Sequence, residues 1–271
     1  MTVLIKYLAQ SKERNKVFFE KQKLINLDWA KWAGWFDTDG CFSSVLRHRR
    51  NRPDSWIKLA RLELKDRQPV ELFSKIFETS LRCRTMKTIT PEPYRYEYII
   101  NVPGAQLGGE KGKWFVKNIF PYLIKQEKKE YAATFLGYRP ESKDFKDWTT
   151  DEVTYYLATA IEGDGCFSVR PWKTIKSMEI EIKSNDVQYL SDIKYLVEEK
   201  LGLVWELNES ATYETKKGIK TMYMLKLYCS RTNPDNLPFF QNLLEDNVMT
   251  LDRKKQKVQE FVGQFEENEM E

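Results

Sequence analysis

"DGCFS" occurs at residues 39–43 and again at residues 164–168, 125 positions further along the chain. The similarity extends outward, because WAGWFDTDGCFSSV (32–45) lines up with LATAIEGDGCFSVR (157–170). Two more blocks follow in the same order: LELKDRQPVELF (62–73) with IEIKSNDVQYLS (180–191), and KKEYAATFLG (128–137) with KKQKVQEFVG (254–263). Three matched blocks in one order indicate a tandem duplication of one structural unit.

The length of 271 residues suits two units of about 120 to 130 residues each. The duplication predicts an N-terminal extension over 1–25, a first unit over 26–138, a linker over 139–148 and a second unit over 149–271. The linker is polar and contains a proline, as connecting segments often do. The extension is rich in basic residues and is a candidate for an added DNA-contacting arm.

The composition excludes several classes of site. Four cysteines without CxxC spacing and a single histidine, His48, argue against a zinc site and against a His-dependent triad. Cys41 and Cys166 each precede a phenylalanine, which predicts that both are buried small hydrophobes. There is no apolar run of eighteen residues and no leader pattern, so we expect a soluble intracellular protein without membrane contact. The net charge of +4 is weak evidence for a polyanionic partner.

Periodicity gives the same order of elements in both units. A short helix pattern precedes each DG, and the second helix begins with TTDE (149–152), a capping-box signature. Alternating runs follow, such as LARLELK (59–65) and MEIEIK (178–183), which are typical of strands with one buried and one charged face. The order helix, two strands, helix, two strands, helix predicts an α+β protein with two antiparallel sheets, each covered by helices on one face.

The paired DG motifs allow two interpretations. In any single copy, the glycine is the left-handed residue that ends a helix and the aspartate is incidental. In the pair, small residues along both helices predict close packing, which brings Asp39 and Asp164 together at the end of the seam. Two such carboxylates repel each other, and divalent cations relieve that repulsion. Ions held there can activate water for phosphodiester hydrolysis.

WAGWFDTDG (32–40) and LATAIEGDG (157–165) resemble the two LAGLIDADG motifs of homing endonucleases, in the monomeric form with two motifs per chain. The resemblance covers nearly the whole chain from residue 26. It implies two pseudo-symmetric αββαββα units with saddle-shaped antiparallel sheets, joined through the paired motif helices. It further implies that Mg²⁺, with Mn²⁺ as a substitute, is held by the carboxylates of Asp39 and Asp164 and the backbone carbonyls of Thr38 and Gly163.

The motifs depart from the family pattern at four positions. Thr159 replaces a motif glycine, Ala160 replaces a large apolar residue, and Trp32 and Trp35 are bulkier than usual. We expect these residues to alter the helix seam and to leave the metal-binding aspartates in place. The first acidic positions, Asp37 and Glu162, are expected to be structural residues at the helix ends.

The family also uses a basic residue where the chain enters the helix after the last strand, and the matched blocks place Lys128 and Lys254 there. A lysine at this point stabilises charge on the scissile phosphate or orders the attacking water; the alternative is a solvated helix lysine. The sequence leaves open which lysine of each cluster takes this part, since Lys125, Lys129, Lys255 and Lys257 lie around the two choices. Polar residues at the strand-to-helix turns either hold water in the metal shell or, for two of them, cap helices. They are Asp66, Gln68, Ser184 and Asp186, of which Gln68 and Asp186 are the capping candidates.

A sheet face of alternating polar and charged side chains fits the major groove of DNA, although a solvated sheet face has the same pattern. Acidic groups on such a face explain the modest net charge, because base reading needs acceptors as well as donors. The basic run at 47–52 is expected to grip phosphates. The predicted DNA-binding residues are Ser43, Val45, Arg47, Arg49, Arg61, Glu63 and Lys65 in unit one and Ser168, Arg170, Trp172, Glu179, Glu181 and Lys183 in unit two.

The resemblance therefore implies a site-specific double-strand DNA endonuclease. It would act as a monomer without an obligate protein partner, recognise a long asymmetric target and hydrolyse both strands across the minor groove, leaving short 3′ overhangs. Two alternatives keep the same fold: a maturase that binds host intron RNA and assists splicing, and a non-catalytic DNA-binding regulator. An intron-encoded enzyme is expected, in an organelle (mitochondrion or chloroplast) or in a bacterial or phage-infected cytoplasm.

Overall fold

The computed structural model describes residues 16–18, 20, 28–49, 52–89, 97–172, 175–215, 218–230 and 233–266. In the first unit the elements are α1 (Trp29–Thr38), β1 (Gly40–Arg49), β2 (Arg52–Glu63), α2 (Arg67–Ile76), β3 (Leu81–Ile89), β4 (Glu97–Gly108), α3 (Gly109–Ile119) and α4 (Gln126–Leu136). In the second unit they are α5 (Thr150–Asp164), β5 (Gly165–Trp172), β6 (Ile175–Ser184), α6 (Val187–Leu201), β7 (Glu206–Thr215), β8 (Gly218–Ser230), α7 (Leu237–Asn242) and α8 (Asp252–Glu266).

Each unit contains one four-stranded antiparallel sheet, and the two sheets have equivalent strand orders, β1-β2-β4-β3 and β5-β6-β8-β7. The predicted α+β fold of two similar halves is thereby confirmed. Each half adds one helix to the predicted order, since α4 follows α3 and α8 follows α7. The predicted capping box at the start of α5 is present, with Thr149 and Glu152 bonding each other's backbone N–H groups. None of the described helices is long and apolar enough to cross a membrane.

An aromatic cluster forms the core of the first unit. Trp32 of α1 lies 5.4 Å from Phe73 and 5.2 Å from Phe77 between ring centroids, and Phe115 of α3 contacts the same group. Edge-to-face pairs of this kind add to the hydrophobic stabilisation from burial. The expectation that Trp32 alters the helix seam is therefore wrong, because this side chain points into the core of its own unit. From the N-terminal extension, Phe18 is buried 5.7 Å from Trp114, and residues 1–15 lie outside the described part.

The strand register separates a helix-covered face from an open face. In unit one Phe42 pairs with Ala60, and both are buried beneath the helices. The neighbouring pair, Cys41 with Arg61, points to the opposite face because side chains alternate along a strand. Cys41 and its counterpart Cys166 are both exposed. The prediction that these cysteines are buried is wrong, since the adjacent phenylalanine takes the core side.

The two motif helices cross with unusually close backbones. At Gly34 an added Cβ would lie 2.2 Å from Thr159 Oγ1 and 2.5 Å from the Tyr156 carbonyl oxygen. At Gly163 it would lie 2.2 Å from Thr38 Oγ1. Each crossing point thus pairs a glycine from one helix with a threonine from the other. Thr159 does not open the seam, because its hydroxyl lies 2.9 Å from the Lys31 carbonyl oxygen of α1, within hydrogen-bonding distance.

The glycines that follow the two motif aspartates are required by contact, not by a left-handed backbone. Gly165 has φ −92° and ψ 161°, which is ordinary extended geometry, and Gly40 is likewise absent from the positive-φ residues. A Cβ at Gly40 would lie 2.4 Å from Phe36 Cα, and one at Gly165 would lie 2.5 Å from the Ile161 carbonyl oxygen. The left-handed interpretation of these glycines is wrong: their strands leave so close to the last helical turn that no side chain fits.

Candidate active site

Asp39 and Asp164 lie at the ends of the two motif helices, on the same side of the seam. A Cβ added at Gly163 would be 2.6 Å from Asp39 Oδ2, so the second helix reaches the first carboxylate directly. Burial, and then repulsion by Asp164, raise the pKa of Asp39 from 3.8 to about 6. Asp39 Oδ2 is buried and accepts no hydrogen bond. A buried carboxylate oxygen without a partner is costly, and it is suited to receive a cation.

The first acidic residues of the two motifs perform equivalent structural tasks. Asp37 Oδ2 accepts hydrogen bonds of 2.6 Å from the Ile124 N–H and from the Tyr156 hydroxyl. Glu162 Oε1 accepts hydrogen bonds of 2.5 Å from the Thr250 and Leu251 N–H groups. Burial raises the pKa of Asp37 to about 6 and that of Glu162 to about 7. Each carboxyl group therefore anchors the loop that leads into the last helix of a unit, α4 or α8.

Lys128 and Lys254 fasten the C-terminal ends of the motif helices. Lys254 Nζ donates to the carbonyls of Ile161, Glu162 and Gly165 at 2.7 to 2.8 Å, and Lys128 Nζ donates to the Gly40 carbonyl. Carbonyls at the end of a helix lack intrahelical partners, so a buried ammonium group stabilises them. Lys254 is only 5% exposed, and burial lowers its pKa to about 8. The alternative of a solvated lysine is wrong for Lys254; the predicted part of the two lysines in the chemistry stays a prediction.

Lys254→Met is expected to lower the free energy of unfolding by about 2 to 3 kcal/mol, because three carbonyls, two of them buried, lose a charged donor. Urea unfolding followed by circular dichroism measures the loss. The control is Lys255→Met, one residue along α8, which is expected to change stability by less than about 0.5 kcal/mol. Equal stabilities of the two variants would contradict the role given to Lys254.

Lys125, one of the lysines around the predicted Lys128, is ion-paired with one of the two motif aspartates. Its Nζ lies 3.1 Å from Asp164 Oδ2 and 4.4 Å from the centre of the Tyr189 ring. Its charge also lowers the pKa of Asp39. The offset that relates Ile124 to Thr250 relates Lys125 to Leu251, which is buried and apolar. A search for residues matched between halves misses such a group, because only one unit carries it.

The residues predicted at the strand-to-helix turns have different environments in the two units. Asp66 forms an ion pair of 2.5 Å with Arg253 of α8, and Gln68 exchanges two hydrogen bonds with Asp252. The capping prediction for Gln68 is wrong, since Asp66 occupies the N-cap position and the Gln68 amide reaches across to the other unit. In unit two Asp186 does cap α6, accepting a hydrogen bond from the Tyr189 N–H, while Ser184 Oγ accepts one from the Asp186 N–H.

The open face of the first sheet carries the predicted side chains near its centre. Arg61 and Glu63 form an ion pair of 3.3 Å beside a groove of about 280 Å³ that Arg82 and Gln106 also line. Arg82 and Gln106 are functional candidates that the sequence alone did not indicate. Ser43 and Val45 share this face through the register of β1 with β2, and Lys65 follows the end of β2. The backbones of Arg47 and Arg49 lie in β1, and their side chains lie outside the described part.

The open face of the second sheet carries a denser charge network. Lys226 of β8 forms ion pairs with Glu179 and Glu181, and Lys183 contacts Glu181 at 3.0 Å. Glu179 is buried, so its carboxylate is already committed to Lys226, a residue that the sequence alone did not indicate. Ser168 lies opposite Glu179 in the register. Arg170 and Trp172 belong to β5, and their side chains lie outside the described part.

A cation at the seam would depend on two side chains and the backbone. Among the described residues, no group of three or more His, Cys, Asp or Glu side chains is placed to hold a metal ion. Asp39 and Asp164 therefore need further oxygen donors, and Gly163 lies close to the Asp39 carboxylate, since a Cβ added there would be 2.6 Å from Asp39 Oδ2. Carboxylate and carbonyl oxygens together with water are the ligands that Mg²⁺ prefers.

Comparisons with known proteins agree with this architecture. No protein-family model and no curated protein sequence matches the chain. Among solved structures, the LAGLIDADG homing endonuclease I-GzeII in complex with a DNA target is 13% identical, with 90% of this chain and 92% of that chain covered and a TM-score of 0.53. I-AabMI bound to uncleaved DNA (10% identity, 88% and 89% covered, TM-score 0.49) and I-LtrWI bound to target DNA (13%, 89% and 92%, 0.46) are further matches. The fold assignment rests on the first of these.

Proposed function

We propose that this chain, which has the fold of the LAGLIDADG homing endonucleases, is a site-specific endonuclease that cuts both strands of DNA. The observation that carries the proposal is the meeting of Asp39 and Asp164, one from each motif helix, at a single seam. The pKa of Asp39 is raised and its Oδ2 lacks a partner. Carboxylates that raise each other's pKa at such a seam are typical of functional sites.

Asp39 and Asp164 would hold the divalent cations, Mg²⁺ or Mn²⁺, with the backbone carbonyls of Thr38 and Gly163. Such ions supply the activated water and the stabilised leaving oxygen of phosphodiester hydrolysis. The protein keeps this donor set in place through the close crossing of α1 and α5. Asp37 and Glu162 then secure the adjoining loops, so that the basic residues at the starts of α4 and α8 remain beside the seam.

The two open sheet faces would bind the DNA on either side of this seam. Ion-paired Arg61 and Glu63 present donors and an acceptor beside the groove of the first sheet, and Lys226 with Glu181 does so on the second. Arginine fits guanine edges and glutamate accepts from cytosine amino groups. Because the two faces carry different side chains, the target would be long and non-palindromic. One chain supplies both faces, so the enzyme would act as a monomer.

The test is exposure of a randomised DNA duplex library to the full chain with Mg²⁺, followed by sequencing of the cleaved ends. The expected result is staggered double-strand breaks with short 3′ overhangs at one long asymmetric sequence. Binding without any cutting would support the DNA-binding regulator in place of the nuclease. Binding of a structured intron RNA, with no DNA cut, would support the maturase.

A further inference from the structure

Lys125 occupies the place beside the motif aspartates where a bound cation would also lie. Its Nζ lies 3.1 Å from Asp164 Oδ2, and its charge, like that of Lys128, partly offsets the rise in the pKa of Asp39 on the other motif helix. The side chain is only 14% exposed and its ammonium group packs against the Tyr189 ring. An ammonium group in such a position interacts with the Asp164 carboxylate through a direct ion pair and with Asp39 over a longer distance.

The position of Lys125 is fixed by its own backbone. The residue precedes α4, and the N–H of the preceding Ile124 donates a 2.6 Å hydrogen bond to the buried Asp37 carboxylate. Asp37 is itself held by the Tyr156 hydroxyl of the other motif helix. The start of α4 is thus hydrogen-bonded to Asp37 of the first unit, which is itself bonded to Tyr156 of the second. This fixes the backbone of Lys125 at a distance from which its side chain contacts Asp164.

The arrangement is one-sided. At the equivalent point of unit two the chain has Leu251, whose N–H bonds Glu162 and whose side chain is buried. Arg253, two residues after Leu251, forms an ion pair of 2.5 Å with Asp66. Among the ion pairs of the described residues, the one between Lys125 and Asp164 joins an ammonium group directly to this carboxylate pair, while Lys128 acts on Asp39 through its charge.

We propose that Lys125 is an internal counter-cation: its ammonium group neutralises the Asp39–Asp164 pair in the metal-free protein, and a divalent ion must displace it from Asp164 to bind. This inference rests on the cation site of the proposed function. A lysine that assists divalent-ion binding would lower the affinity for the ion when it is removed, whereas removal of a counter-cation should raise that affinity. Removing the positive charge relieves the competition, so divalent ions bind more tightly even though a side chain near the site is lost.

The test is Mn²⁺ binding to the full chain at pH 7.5 without DNA, with the free ion measured by electron paramagnetic resonance. Lys125→Met is expected to lower the Mn²⁺ Kd about tenfold, a size in keeping with loss of one nearby, partly buried charge. Lys125→Arg keeps the charge, and Lys129→Met removes a charge four residues further along the chain, in α4. Both variants are expected to have a Mn²⁺ Kd within about twofold of the wild-type value. Asp164→Asn is expected to weaken binding, which confirms the location of the ion.

Equal Mn²⁺ affinities for Lys125→Met and Lys129→Met would overturn the proposal. A second measurement uses the wild-type side chain and does not depend on the folding of Lys125→Met. Lysines are dimethylated with ¹³C-formaldehyde, the Lys125 signal is assigned from its absence in Lys125→Arg, and Mg²⁺ is added. The signal is expected to shift as Mg²⁺ binds; an unmoved signal, with binding shown by thermal stabilisation, would also overturn the proposal.

Failure of this inference is distinguishable from failure of the proposed function. If Mn²⁺ binds as expected in all four variants but the library yields no cleaved DNA, the counter-cation stands and the nuclease does not. If the wild type cuts DNA while Lys125→Met and Lys129→Met bind Mn²⁺ equally, the nuclease stands and the counter-cation does not.

Discussion

Asp39→Asn is expected to abolish double-strand cleavage and, at the same time, to make the protein more stable. The asparagine keeps the shape of the side chain but loses the charge that attracts a divalent ion, so cleavage should fall by about 10³-fold or more. Asp164→Asn is expected to have the same effect on double-strand cutting, because the site takes one carboxylate from each helix. Cleavage of a supercoiled plasmid carrying the selected target measures both variants against the wild type.

The gain in stability follows from the raised pKa of Asp39. In the folded protein this carboxyl group titrates at about 6, and in the unfolded chain at its ordinary 3.8. Its favourable contribution is therefore complete below pH 3.8 and is lost as the pH rises through about 6. Above that pH the charged group destabilises the fold, so the asparagine variant should unfold with a free energy about 1 to 3 kcal/mol higher at pH 8.

Urea unfolding at pH 5 and pH 8 tests this expectation. The difference between Asp39→Asn and the wild type should be larger at pH 8 than at pH 5. Glu141→Gln, in the exposed segment between the units, is the matched control and should show no such trend. A variant that loses cleavage with an unchanged pH dependence of stability would show that the carboxylate pair is not strained in the metal-free protein.

The duplication explains why so much of the fold could be predicted. The matched blocks located both motif helices, and alternation in LARLELK and MEIEIK located β2 and β6, since these signals are local in sequence. The exposure of Cys41 could have been predicted from the sequence. Phe42 beside it is the more hydrophobic candidate for the core, and neighbouring residues in a strand face opposite sides of the sheet. The contact that requires Gly40 depends on how sharply β1 leaves α1, which the sequence does not show.

The candidate site was harder to predict than the fold. Asp39 and Asp164 were found because both halves carry them, whereas Lys125 could not be singled out from the lysines around Lys128, because its counterpart is Leu251. The contacts between Asp66 and Arg253 and between Gln68 and Asp252 join residues 184 or more positions apart. Pairings over such separations depend on how the two units dock, and no local pattern records that geometry.

Gly34→Thr is expected to lower the free energy of unfolding by more than about 4 kcal/mol, and Thr159→Gly added to it is expected to recover part of the loss. A Cβ at Gly34 would meet Thr159 Oγ1 at 2.2 Å and the Tyr156 carbonyl oxygen at 2.5 Å. Buried overpacking against backbone leaves no rotamer that relieves the clash. The single variant therefore separates the motif helices.

The pseudo-symmetry of the two motif helices is the reason to expect that Thr159→Gly restores some stability to the Gly34→Thr variant. Gly34 and Thr159 occupy equivalent positions, as do Lys31 and Tyr156, each pair being 125 residues apart. In the wild type the Thr159 hydroxyl lies 2.9 Å from the Lys31 carbonyl oxygen. In the exchanged pair the new threonine of α1 would donate to the Tyr156 carbonyl, which is the mirror of the same contact. The glycine placed in α5 removes the contact with Thr159 Oγ1, while the contact with the Tyr156 carbonyl remains and limits the recovery.

Unfolding free energies of the wild type, both single variants and the exchanged pair form a double-mutant cycle. Thr159→Gly alone is expected to cost about 1 to 2 kcal/mol, from the lower helix propensity of glycine and the lost hydrogen bond. The cycle should give a coupling free energy of several kcal/mol, well above the value for residues that do not touch. Additive losses in the exchanged pair would mean that the two helices do not meet at Gly34 and Thr159. The shared position of Asp39 and Asp164 would then lose its support, because the same crossing brings those carboxylates together.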